Sequence, residues 1–477
     1  MKAGERGISM QIPKTLVPLT SLIPSSRKLM TLARKTRFVL RKPRKIRPDQ
    51  ILRAFLAALC ENTPHLRAIA EHLSALSGET PSRQAVFARL KHEASPSFFF
   101  AAFSQILQEQ CERFTRHGAI GLGHALAEAR AVFGRLIIED ASVLPLHQSL
   151  AKRFAGAANQ FGHVAALRMR WAFDFFTGQT IDAQLHEWRE NDQSTAFDLI
   201  AHLKPGDMVL RDMGYFCLES LHEIARLGAW FLTRIPEGTV MADLEGTEIN
   251  LAKRLSQERS GPLDLRVRVG RATPVEGRLV AVRIDPEKAA RRKRKLRARL
   301  RAEGKVPRKD QLKMCEWVAV FTNAGEELLD AQSVARLYRA RWMVEIFFKG
   351  MKSGQDLEKW SRHRTNENTI QCLAYGQMIL GVLSLNLWRL MGRMIRFADG
   401  VEDPVAGPNG PPCEASSVGT IGPLKAMESL VPLLRKVFTG ELPGRGLMAE
   451  LSRLARYAKQ ERRARVSLDR LILGLLA

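Results

Sequence analysis

The sequence predicts an α/β (α+β) fold, a mixed core with helical regions at both ends, and three observations carry that reading. Between 131 and 227, short apolar runs of strand length, such as Leu136-Ile137-Ile138 and Met208-Val209-Leu210, are interleaved with a stretch of helical spacing at 194–203. Strand-like runs then follow one another at 230–234, 263–269, 278–284 and 317–322. From 48 to 130, and again beyond 324, apolar residues recur at three- and four-residue intervals, as core-facing helices require.

Taken in order, residues 1–47 are basic and punctuated by proline, ending in SSRKLMTLARKTRFVLRKPRKIR. Such a segment reads as a mobile arm able to lie along a phosphate backbone, or as a solvated tail. Ile51, Leu52, Phe55, Leu56 and Leu59 mark a first helix of the 48–130 region, and 66–76 a second. Gly78 to Ser82 breaks the pattern, and Ser82 is placed to cap a helix at 83–91. Two short helices about a glycine turn resemble a helix-turn-helix, whose second helix would present Arg83, Gln84 and Arg89 to DNA. Any small helical bundle gives the same pattern, so both readings stand.

After the first part of the core at 131–227 comes a β-rich insertion at 228–323, carrying a basic segment expected to be a loop at 286–313. Its centre, RRKRKLRARLR at 291–301, is read as a solvated, partly disordered loop or as a contact with the DNA backbone. The second part of the core, 324–397, is predicted to hold helices at 330–353 and 369–396. The apolar stretch 370–391 contains Gln371, Gln377, Asn386 and Arg389, which are costly in hydrocarbon, so it is a buried core helix and not a membrane span. A Gly/Pro/Ser-rich linker at 398–423 leads to a last helical region, 424–477.

Charge narrows the choice of partner. Lys and Arg number 74 against 49 acids, a formal net charge of +25, and such an excess favours a polyanion because each neutralised phosphate releases counterions. Membrane is the weaker candidate. The N-terminus lacks the apolar run of a secretory signal, and the six cysteines are scattered with no C-x-x-C pair, so a reducing cytoplasm is the expected compartment and a zinc knuckle is not.

The chemistry concentrates in the segment from Tyr338 to Lys352. At about 100° per residue, Tyr338, Arg341, Glu345 and Lys352 fall within roughly 60° on one helix face. A carboxylate there can ligate a divalent metal while the cations and the phenol grip phosphate oxygens; ordinary i,i+4 ion pairs would give the same stripe. A hard cation needs further carboxylates. Asp140 and Asp212, each at the end of an apolar run, are the candidates, and Gly214 permits a sharp turn after Asp212. A strand-end aspartate is more often a turn or cap residue, and Glu139, Asp174 and Asp207 compete for the role.

These residues resemble a known family. The helix matches the Y-x2-R-x3-E-x6-K signature of a large group of bacterial insertion-sequence DDE transposases, and Asp212-Met213-Gly214-Tyr215-Phe216 looks like that group's second-aspartate motif. Glu139-Asp140-Ala141-Ser142, with Leu144-Pro145, is similar to the first, and the gaps of 72 and 133 positions between the three carboxylates also fit. Met213 departs from the arginine common in relatives. Trp317 resembles the tryptophan that precedes the signature helix in the insertion domain.

The resemblance implies a ribonuclease-H-like core in which Asp140, Asp212 and Glu345 hold two Mg²⁺ ions about 3.5–4 Å apart, with Mn²⁺ as a substitute. It implies cleavage of transposon ends, a hairpin step and joining to target DNA. Tyr338, Arg341 and Lys352 would hold phosphates, while Trp317 would stack in the place of a flipped base or simply pack. The implied partners are double-stranded DNA, as terminal inverted repeats and target, and a second copy in a synaptic homodimer, acting in the cytoplasm at the nucleoid. Two other readings are a catalytically inactive transposase-derived DNA-binding protein and a non-enzymatic basic nucleic-acid-binding protein.

Overall fold

Capping chemistry written into the sequence sets the first helices. The computed structural model describes residues 22–61, 65–116, 129–159, 162–176, 180–188, 193–258, 261–341, 365–398, 423–442 and 444–460. Ser25 caps Ser26–Lys35 (α1) by accepting from the Lys28 amide, and Pro48 opens Pro48–Leu59 (α2). Leu66–Ser77 (α3) ends at Gly78, whose φ of +72° is the left-handed C-terminal stop that glycine adopts without strain. Ser82 then accepts from the Ala85 amide at 3.2 Å and starts Arg83–Lys91 (α4), followed by Ala94–Arg116 (α5).

The described residues form two compact units. The first joins 22–106 to 366–460. Its core is aromatic: Phe38 stacks on Phe98 with centroids 4.4 Å apart, and Phe55 meets Phe99 edge-on at 4.7 Å. The arm or tail expected at the N-terminus does not extend to residues 26–39. There Leu29, Ala33, Phe38 and Val39 are buried, because α1 has an apolar stripe that the surrounding cations obscure in the sequence. Residues 1–21 lie outside the described residues.

The second unit, chiefly 107–341, contains the sheet. Its strands are Arg135–Pro145 (β1), Ala155–Asn159 (β2), Gly162–Asp174 (β3), Thr180–Glu187 (β4), Asp207–Arg211 (β5), Trp230–Arg234 (β6), Met241–Ala242 (β7), Leu263–Val269 (β8), Val275–Arg283 (β9) and Trp317–Thr322 (β10). The order is β2-β3-β1-β5-β6-β10-β9-β8-β7, with β4 on β3. β1, β5 and β6 are parallel neighbours, and the other pairings are antiparallel. The strands expected in the β-rich insertion therefore continue the same sheet: β6 pairs with β5, and β10 with β6. Ile137, Val209, Phe231 and Phe321 belong to one buried cluster on one face of it.

Helices Leu218–Arg226 (α6), Leu251–Gln257 (α7), Pro286–Ala302 (α8), Lys309–Met314 (α9) and Ala331–Arg339 (α10) accompany these strands. The expected helix at 194–203 is instead two short 3₁₀ turns, Ser194–Phe197 and Ile200–His202. The basic segment expected to be a loop is helical. Asp285 caps α8 through the Glu287 and Lys288 amides, Ala289 and Leu300 anchor its inner side, and arginine and lysine are good helix formers.

Three helices return the chain to the first unit: Glu367–Ala398 (α11), Pro423–Thr439 (α12) and Gly444–Gln460 (α13). The apolar α11 lies against α2, and a Cβ on Gly376 would come within 2.7 Å of Leu59 and Phe55 side-chain atoms, so glycine permits that approach. No helix among the described residues is long and apolar enough to cross a membrane.

Candidate active site

Strand register brings the first two aspartates together. Ile138 pairs with Leu210 across β1 and β5, and Leu210 with Leu232 across β5 and β6. Two residues further along each chain are Asp140, Asp212 and Arg234. Because strand side chains alternate with a period of two, these three occupy one face at one level. Asp140 is not at a strand end, since β1 runs on to Pro145 opposite β3. It lies two residues past the last β1–β5 pair, where the parallel strands diverge and leave the crevice in which open α/β sheets place ligands.

A single guanidinium spans the two carboxylates. Arg341 Nη1 donates to Asp140 Oδ2 at 3.4 Å, and its Nη2 lies 3.8 Å from Asp212 Oδ1. Arg341 is buried, while the Asp212 side chain is 40% exposed and open to a ligand. Tyr338, one turn earlier, is buried; its hydroxyl donates to the Arg211 carbonyl at 3.3 Å and so ties α10 to β5. Burial raises the Tyr338 phenol above its ordinary range, with Arg341 nearby opposing the shift. The helix expected at 330–353 stops at Arg339 with Ala340 as its C-cap, so Arg341 lies in the turn after it; Glu345 and Lys352 lie outside the described residues, and among those described no three Asp, Glu, His or Cys side chains gather into a metal-binding group.

The competing acids have other tasks. Glu139 faces away from Asp140 and is fully buried between Arg170 Nη1 at 2.5 Å and Arg211 Nε at 2.6 Å. Asp174 accepts from the Leu136 and Phe176 amides, each at 3.1 Å. Asp207 binds Arg135 at 2.8 Å and the Lys204 amide at 2.7 Å, closing the start of β5.

Two further expectations meet a different arrangement. Trp317 is 2% exposed and belongs to the buried cluster with Val209 and Phe231, on the face of the sheet opposite the aspartates. Its ring packs among these side chains, with Arg283 over it at 4.8 Å. On α4 of the first unit, Arg83 and Gln84 are exposed, whereas Arg89 is turned inward over the Phe38 ring at 4.0 Å and donates to the Phe38 carbonyl. That contact ties α4 to the residues after α1 and leaves Arg89 half-buried. Arg234 was not foreseen: only the register of three strands puts it in line with the aspartates, and no local motif marks it.

The donor set suits a hard divalent cation. Two carboxylate oxygens already converge on one cationic group, and one carboxylate is open to solvent.

Residues 132–380, just over half of the chain, match the transposase DDE domain family. The transposase for insertion sequence element IS231F of Bacillus thuringiensis subsp. israelensis is 26% identical over 378 residues, covering 74% of this chain and 75% of that protein. That for IS231B of Bacillus thuringiensis subsp. berliner is 23% identical over 371 residues, with the same coverage. Among solved structures, the piggyBac transposase synaptic complex with hairpin DNA overlaps at a TM-score of 0.36 and 11% identity, over 97% of this chain and 87% of that one. The chain belongs to the transposase DDE domain family and is a DNA transposase, a metal-dependent enzyme that cleaves DNA and transfers its strands.

Proposed function

We propose that Asp140, Asp212 and Glu345 form the catalytic centre of a ribonuclease-H-like core that cuts an insertion sequence at its terminal inverted repeats and joins it to target DNA. The observation that carries this reading is the Arg341 guanidinium shared by Asp140 and Asp212, 3.4 and 3.8 Å away. The antiparallel set β4-β3-β1 followed by parallel β5 and β6, with the aspartates where the parallel strands part, supports the core assignment.

The three carboxylates would hold two Mg²⁺ ions, with Mn²⁺ as a substitute. Bound there, the ions would acidify an attacking water or 3′-hydroxyl and offset charge on the leaving oxygen. Once other cations satisfy the aspartates, Arg341 is released to donate its fork to a phosphate. The resemblance to the Y-x2-R-x3-E-x6-K signature would give Lys352 the role of a second phosphate-binding cation. Tyr338 holds α10 against β5 through the Arg211 carbonyl. The Y-x2-R-x3-E-x6-K spacing supports membership of the hairpin-forming cut-and-paste group, acting as a homodimer that synapses two ends at the nucleoid.

The test is cleavage of terminal-repeat duplex DNA in Mg²⁺ by the full chain and by Asp140→Asn, Asp212→Asn and Glu345→Gln. Several kcal/mol of charge stabilisation corresponds to a loss of about 10³-fold in each variant. Equal cleavage by all four proteins would remove the assignment.

A further inference from the structure

The row that begins with Asp140 and Asp212 ends in a cation with no acidic partner among the described residues. Arg234 makes no ion pair, and its Nε is buried without a hydrogen-bond partner among the described residues. Beside it, Arg292 of α8 donates Nη1 to the Trp317 carbonyl at 3.1 Å and likewise has no carboxylate within ion-pair distance among those residues. Burial lowers the Arg292 pKa, and repulsion from Arg234 adds to the effect, so neither guanidinium has an acidic partner among the described residues to offset the other. Two like charges held together at the edge of a carboxylate site destabilise the free protein unless an anion joins them.

Arg292 is the inner end of a longer feature. Beyond Glu287 in the first turn, α8 has no acid. Lys293 reaches Glu316 at 2.7 Å, and with Ala289 and Leu300 it fixes one side of the helix. The opposite side exposes Arg291, Arg294, Lys295, Arg297, Arg299 and Arg301. Among these, only Arg299 has an acid within reach in the described residues, Glu303 at the 4.0 Å limit. Like charges at i,i+3 and i,i+4, as in Arg291 with Arg294 and Lys295, weaken an isolated helix. A rigid, self-repelling cationic face is complementary to the densest regular polyanion that a DNA transposase meets.

We propose that the outer face of α8, continued inward by Arg292 and Arg234, is a phosphate-backbone contact that guides duplex DNA into the crevice at Asp140 and Asp212. The proposal rests on the reading of those aspartates as the cleavage site and adds a surface to it. Nothing in it requires base recognition, so the contact is blind to sequence. It also gives the helical form of α8 a purpose, since a helix of this length offers its cations over about 25 Å with fixed spacing.

The experiment measures binding of the full chain to a 30-base-pair duplex by fluorescence anisotropy between 50 and 200 mM salt. One variant carries Arg291→Gln, Arg294→Gln, Lys295→Gln and Arg297→Gln, which keep helix propensity. A control removes four exposed cations elsewhere on the same unit, with Arg226→Gln, Lys253→Gln, Arg266→Gln and Arg271→Gln. The α8 variant is expected to bind about ten-fold more weakly or worse, with a salt slope shallower by about 2 to 4, while the control changes far less. Equal effects of the two sets, or loss of affinity for a hairpin RNA with none for the duplex, would overturn the proposal. The inner end is tested by Arg234→Gln with Arg292→Gln. Its cleavage KM should rise and lose salt dependence at an unchanged melting temperature, and an unchanged KM and salt dependence would overturn that part. Cleavage by Asp140→Asn and Asp212→Asn reports separately on the underlying site: if those variants cut normally, that reading fails whatever α8 does.

Discussion

Glu139 and Asp140 are neighbours in the chain that leave β1 on opposite faces, and their surroundings give them opposite roles. Glu139 has no exposed side-chain surface and is held by Arg170 and Arg211 at 2.5 and 2.6 Å. Asp140, on the other face, meets Arg341 at 3.4 Å beside the opening between β1 and β5. The first is a scaffold for β1, β3 and β5, and the second is available to a ligand.

Glu139→Gln should therefore destabilise the fold. Arg170 keeps Asp182, but Arg211 loses its only ion-pair partner among the described residues, and breaking a buried pair costs about 3–5 kcal/mol. Denaturant unfolding reads this directly. A midpoint equal to that of the unaltered chain would mean that Ser220 and the Ala196 carbonyl suffice for Arg211.

Arg341→Ala leaves Asp140 and Asp212 facing each other without their shared cation. Divalent metal then loses this internal competitor, and Mg²⁺ should bind about ten-fold more tightly, adding about 1.4 kcal/mol to the stabilisation seen at saturation. Cleavage should nevertheless fall by about 10²-fold, because a phosphate donor is lost. Melting curves with Mg²⁺ and with a chelator separate the two effects. A metal-induced shift no larger than that of the unaltered chain would show that Arg341 does not screen the aspartates.

Tyr338→Phe removes the hydrogen bond to the Arg211 carbonyl, worth about 1 kcal/mol at neutral pH. It also alters the alkaline limb of the stability curve. The folded phenol has a raised pKa, chiefly through burial, so the unfolded chain gives up this proton first, near pH 10. The contribution is complete below about pH 10 and is lost as pH rises toward the folded value. Unfolding midpoints measured at pH 9 and pH 11 should fall less steeply in the Phe variant, and parallel falls would refute the linkage.

Trp317 packs on the face away from the aspartates, which separates its effects from hairpin chemistry. Trp317→Ala should cost about 3–5 kcal/mol of stability. Trp317→Phe, which keeps an aromatic ring in the cluster, should leave the ratio of nicked to hairpin product unchanged. A selective loss of hairpin product with an unchanged melting temperature would return the tryptophan to a DNA-contacting role.

Much of the architecture was legible from short-range physics. Apolar runs at 208–210, 230–234 and 317–322 became β5, β6 and β10, because side-chain burial on a pleat has a local period. Gly78 and Ser82 delimited α3 and α4 through backbone chemistry that involves only a few residues. The basic run at 291–301 misled, since composition suggested a solvated loop while helix propensity, an Asp285 cap and two buried anchors decided for α8. The 26–39 segment misled in the same way, its four buried apolar residues hidden among cations.

By itself the sequence put Asp140, Asp212, Tyr338 and Arg341 forward as candidates through motif spacing, and it marked most of the strands and helices. Only the tertiary structure decided which of Glu139 and Asp140 faces the crevice, that Trp317 lies behind the sheet, and that Arg234 joins the aspartates in a row. The reason is one of range. Propensity and capping act over a few residues, whereas the register of β1, β5 and β6 is fixed by pairing between segments far apart in the chain, and a shift of one residue would send every side chain to the other face.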